Sequence, residues 1–162
     1  MTESFKIFTT GPMIVPAKIT GDPVGGPPDV VRVTIVNPTI RVFKIRLVGE
    51  VYDRAQGTVE IVSDCEQTIP RNSFLRRTFI FSAQPGDFLR FYVIGGLDED
   101  AKKLEIAFIG QRSSDQMDEP TMFFRHADLI EVENLRIHPI AEEPDCSSSS
   151  STLSASIHFW GD

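Results

Sequence analysis

The chain has 162 residues, 41% hydrophobic and 24% charged, with a formal net charge of −7. That length suits one domain able to fold without disulfide or metal staples. The acidic balance speaks against nucleic acid and against an anionic membrane surface, which both require a concentrated positive field, and no apolar run is long enough for a transmembrane helix.

Phenylalanine is over-represented, with 12 residues against one Trp and two Tyr, beside 11 Gly and 11 Pro. This composition predicts strands joined by sharp turns. Alternation of apolar and polar residues recurs along the chain, with no helical stripe. The first predicted strand is ESFKIFT (3–9), which puts Phe5 and Ile7 on one face. GPMIVPAKITGDPVGGPPD follows, too rich in Pro and Gly for a helix or a central strand, and reads as an extended arm. VVRVTIVNPT (30–39) turns inward Val31, Val33 and Ile35 and closes at Asn37-Pro38. IRVFKIRLV (40–48), TVEIVSD (58–64) and LRRTFIFS (75–82) are further strands, with IPRNSF (69–74) as a polar turn.

DFLRFYVIGG (87–96) is apolar on both faces, which places it centrally and predicts a buried Tyr92. An acidic turn, 97–102, leads to KLEIAFIG (103–110). A second acidic loop, QRSSDQMDEP, precedes TMFFRHADLIEVENLRIHPI (121–140), read as one or two strands. AEEPDCSSSSS (141–151) reads as a flexible linker. About nine strands at spacings near ten residues predict a single antiparallel β-sandwich, jelly-roll or immunoglobulin-like. Its divisions are an N-terminal strand and arm (1–29), a sandwich core (30–140) and a Ser-rich linker with a C-terminal strand (141–162).

The order VVRVTIVNPTIRVFKIRLV, then IPRNSF, then IAFIGQRSSDQ and MFFRHADLIEVE resembles small β-sandwich proteins of spore-forming bacteria, over roughly residues 28–135. The resemblance implies a sandwich and a cell- or spore-surface setting. It carries no catalytic residues.

Chemistry is sparse. His126, His138 and His158 have no ligand spacing, and a zinc site needs three or four converging ligands, so turn or surface histidines are expected. Asp128 lies two residues from His126, and alternation would place both on one face, but no nucleophile accompanies them. No catalytic or nucleotide-binding signature is present. Asp98, Glu99 and Asp100, and then Asp115, Asp118 and Glu119, read as solvated turns rather than calcium ligands. Only Trp160, Tyr52 and Tyr92 are available as sugar-stacking platforms. No cofactor, metal or small-molecule ligand is expected. Cys65 and Cys146 are two reduced thiols or a disulfide within or between subunits.

The tail TLSASIHFW (152–160) alternates cleanly: Leu153, Ala155, Ile157 and Phe159 on one face, Ser154, Ser156, His158 and Trp160 on the other. No hairpin turn joins it to the strand before. It is either the last strand of its own sandwich, reached by a crossover, or an arm that augments another copy. The second reading makes the chain a non-enzymatic structural subunit of a fibre or surface assembly, with Phe5, Ile7, Leu153, Ile157, Phe159 and Trp160 as interface residues and other copies of itself as partners. A monomeric binding module for carbohydrate or protein is the alternative, as is a virion or phage structural protein. No basic region followed by an apolar stretch opens the chain, so synthesis in the cytoplasm is expected, with a later place on a cell, spore or virion surface.

Overall fold

The computed structural model describes residues 7–63, 66–81, 83–95 and 103–132, with backbone alone at 62–63, and the backbone of 155–159. Two antiparallel sheets, of seven and five strands, pack face to face. In the larger, β8 (Phe88–Gly95) is flanked by β1 (Ile7–Thr9) and β4 (Phe43–Asp53), so the segment read as central is central. β11 (Ile130–Val132) lies beyond β1, and β5 (Thr58–Ser63) and β6 (Gln67–Ile69) share the far side of β4. β2 (Met13–Ile14) also pairs with β8. The smaller sheet runs β10 (Met117–Arg125), β9 (Glu105–Arg112), β3 (Val30–Asn37), β7 (Ser73–Ile80), β12 (Ala155–Phe159).

Between the sheets lie the residues that alternation selects. Val31, Val33 and Ile35 of β3, Leu75 and Phe79 of β7, and Ile106 and Phe108 of β9 face Phe43, Ile45, Leu47 and Val51 of β4 and Leu89, Phe91 and Val93 of β8. The Phe91 ring meets those of Phe79, Phe81 and Phe108 at centroid distances of 5.3–5.5 Å. Four of the phenylalanines thus interlock as an aromatic cluster, each ring pair contributing about 0.5–1.5 kcal/mol beyond its area.

Several elements differ from the sequence reading. β4 begins later and runs on through Gly49 and Glu50 to Asp53, because its far half pairs with both β8 and β5. The polar turn at 69–74 is shorter than predicted: β6 ends at Ile69 and β7 starts at Ser73, with Asn72 at φ 49° between them. The loop 111–120 is mostly strand, since β9 and β10 continue to a tight turn closed by the Gln116 N–H donating to the Arg112 carbonyl at 2.8 Å.

The Pro/Gly-rich arm joins the two sheets. β1 and β2 lie along the same side of β8, with one extra residue between Thr9 and Met13, a β-bulge at Gly11, whose φ is 71°. Val15 and Ile19 are then buried, and the chain enters β3 after Pro28. On the opposite side Gly110 is required for packing, because a Cβ there would sit 2.7 Å from the Met122 Cβ.

Candidate assembly site

The tail strand is an edge strand. β12 pairs antiparallel with β7 of its own chain, Ala155 opposite Arg77, Ile157 opposite Leu75 and Phe159 opposite Ser73. Of the two readings of the tail, this is the last strand of its own sandwich: the edge of β7 supplies its hydrogen-bonding neighbours within the chain. The register keeps the period of two, so Ile157 falls opposite a core residue. Residues 133–154 connect β11, at one margin of the larger sheet, to β12 at the margin of the smaller.

The N-terminal strand is bonded on both sides. Ile7 pairs with Ile94 on β8 and Val132 on β11. Its side chain is half-buried, on the outer face of the larger sheet, with Ile61 and Ile94 around the fully buried Val48 and Tyr92. Phe5, Leu153, Trp160, Cys65, Cys146 and His138 lie outside the described residues, as do Asp98, Glu99 and Asp100, and His158 is described by backbone alone.

On that same outer face sits a polar cluster that the sequence reading missed. Glu50 of β4 is 3% exposed. Its Oε2 accepts from Arg90 Nε at 2.9 Å and Nη2 at 2.7 Å, from the Tyr52 hydroxyl at 2.5 Å and from the Tyr92 hydroxyl at 3.2 Å. The Arg90 guanidinium also lies over both tyrosine rings, 4.7 Å from the Tyr92 centroid and 5.6 Å from that of Tyr52. Burial, then the Glu50 charge, pushes the Tyr92 hydroxyl far above its ordinary range. Tyr92 is buried as predicted, but against this cluster rather than in the layer between the sheets. The cluster ties β4 to β8 through the Glu50–Arg90 pair.

At the end of the sandwich closed by the arm, Glu119 of β10 has no solvent exposure. Its carboxylate accepts the Thr20 N–H at 2.7 Å, the Thr20 hydroxyl at 2.8 Å, the Thr121 N–H at 3.0 Å and the Thr121 hydroxyl at 2.6 Å. Burial pushes this carboxyl up, and the four hydrogen bonds outweigh it, leaving it below the usual range. Arg112 reaches Asp22 at 2.6 Å and Asp115 at 2.5 Å, so the arm is tied to the β9–β10 turn as well. The acidic residues of that turn are therefore used as latches: Asp115 on Arg112, Glu119 on Thr20, and Asp118 on the Gln111 amide. Among the described residues no three His, Cys, Asp or Glu side chains converge as metal ligands.

His126 and Asp128 do not share a strand face. They form a 3-10 turn, to which alternation does not apply, and Asp128 accepts the Arg125 N–H at 2.8 Å. The His126 ring packs 5.7 Å from that of Phe8.

No family model, curated protein or solved structure matches this chain. No helix among the described residues is long and apolar enough to cross a membrane.

Proposed function

We propose that the chain is a non-enzymatic structural subunit that self-associates by exchanging its C-terminal strand, building a fibre or other surface assembly. The observation that carries this reading is the position of β12: at the edge of its sheet, paired among the described residues with β7 alone. The same bonds form when β12 of one copy lies on β7 of another, which is the requirement for strand exchange.

The connection supports the exchange. Sheet margins that are four strand spacings apart lie about 19 Å from one another. Residues 133–154 span up to roughly 70 Å when extended, so they reach β7 of a neighbour as readily as their own. Closed monomer and exchanged assembly then differ little in bonding, and concentration decides between them. Tethering gives the closed form an effective concentration in the millimolar range, so exchange prevails where copies are crowded, as at a surface. A position on a cell or spore surface also follows from the resemblance carried by residues 28–135.

The test is electron microscopy with light scattering, on the full chain and on a chain ending at Cys146. The full chain assembles at high concentration, and the truncated chain stays folded and monomeric. A truncated chain that assembles as the full one does would remove β12 from the mechanism.

A further inference from the structure

The outer face of the five-stranded sheet carries three arginines, two of them without a partner among the described residues. Across β7, β3, β9 and β10, Arg76, Thr34, Ala107 and Arg125 fall in one register row. Thr78, Arg32, Ile109 and Phe123 form the next. All of them point away from the core, because their neighbours Val33, Phe79, Phe108 and Met122 point into it. Three arginines thus stand around a floor of two small residues, on a chain whose net charge is −7.

Two of the three lack partners. Arg32 and Arg76 make no ion pair or side-chain hydrogen bond among the described residues, and the Arg32 Nε is buried with no acceptor. Arg125 reaches Asp128 only at 3.4 Å, with its side chain 70% exposed. Among the described residues the carboxylates near this face are otherwise few: Asp118 is taken by Gln111, and Glu105 lies one row further along β9, opposite Val36. Guanidinium donors left without an acceptor among the described residues favour an anion from outside.

We propose that this face binds an extended acidic peptide segment of a partner protein, laid across the strands with its carboxylates on Arg76, Arg32 and Arg125. Spacing favours a peptide over a single phosphate. Arg76 and Arg125 are three strands apart, about 14 Å, too far to converge on one tetrahedral anion. An extended peptide places side chains i and i+4 on one side about 13.5 Å apart, and the intervening side chain faces Thr34 and Ala107, beside Arg32. The second row offers Ile109 and Phe123, the latter 45% exposed, to apolar residues of the same peptide. Three cations without Trp or Tyr among these two rows suit neither nucleic acid nor stacked sugars.

The probe is a fluorescent peptide of alternating Glu and Val, titrated against the full chain and followed by anisotropy. Saturable binding that weakens with salt is expected. Arg32→Gln with Arg76→Gln should weaken it about tenfold, through the loss of two charge-assisted pairs. Arg76→Gln alone, at an exposed position without partners among the described residues, should weaken it measurably and leave the melting temperature unchanged. Arg41→Gln, exposed and off this face, should change neither. Absence of saturable binding, or binding indifferent to Arg76, overturns the proposal. So does tighter binding of a heparin fragment, which would assign a sulfated glycan. Binding seen only with Glu142→Gln, Glu143→Gln and Asp145→Asn would assign the face to the chain's own acidic segment. Loss of self-association in Arg76→Gln without any peptide binding would assign it to a second copy. Both results overturn the proposal.

Discussion

Glu119 shows how a single carboxylate holds the N-terminal arm in place. Its four hydrogen bonds come from Thr20 and Thr121, and no solvent reaches it. Glu119→Gln keeps the shape but replaces an all-acceptor group with one that must donate, at a cost of about 2 kcal/mol. The melting temperature should fall by roughly 4–8 °C. The folded carboxyl titrates below its unfolded value, so the stability it contributes is complete above the ordinary carboxylate range and is lost as pH falls through the lowered folded value. Asp87, lowered by backbone hydrogen bonds from Gln84 and Arg54, acts in the same direction. Calorimetry across the acid range should therefore show a shallower decline for Glu119→Gln than for the native chain. The Glu50 cluster makes a parallel case: Glu50→Ala leaves Arg90 facing two tyrosines without its carboxylate and should cost about 3 kcal/mol, while adding Arg90→Met should recover part of that loss in denaturant titrations. Neither group was legible in the sequence. Glu50 follows LVG and reads as the end of a strand, and its partner Arg90 lies 40 residues away.

At the scale of elements, alternation succeeded wherever one face of a strand meets the core. β3, β7, β8 and β9 lie within two residues of their predicted bounds and turn Val31, Phe79, Phe91 and Phe108 into the core. It failed where a strand's identity depends on its partner. β10 opens with Met117, Asp118, Glu119 and Pro120, a loop by composition, and is a strand because Arg112 and Gln111 hold it across the hairpin. β2 is hidden in a proline-rich arm and exists because β8 has room beyond the Gly11 bulge. The β9–β10 pairing also depends on Gly110: Gly110→Ala brings a methyl group against the Met122 Cβ and should cost about 1–3 kcal/mol in chemical unfolding. At the tail, Ile157→Asp puts a charge in register with Leu75, and should free β12 from β7 while leaving the rest of the sandwich folded. Protection of the Phe74 and Arg76 amides, which point away from β3 and toward β12, reports the outcome by hydrogen exchange.

For the whole molecule, the sandwich followed from strand spacing and turn chemistry, whereas the home of the last strand did not, because an edge of the same geometry is offered by the chain itself and by every other copy. The structure adds that β12 closes on β7 within one chain, and the proposed assembly follows from opening that closure. Arg76 and Ser156 are directly opposed in this pairing, so exchange between copies is read by mixing a chain bearing Arg76→Cys with one bearing Ser156→Cys, both with Cys65→Ser and Cys146→Ser, at high concentration under mild oxidation. The account predicts a disulfide-linked heterodimer on a non-reducing gel. If the mixture yields none while a single chain carrying both cysteines cross-links internally, β12 stays at home and the assembly by strand exchange is contradicted.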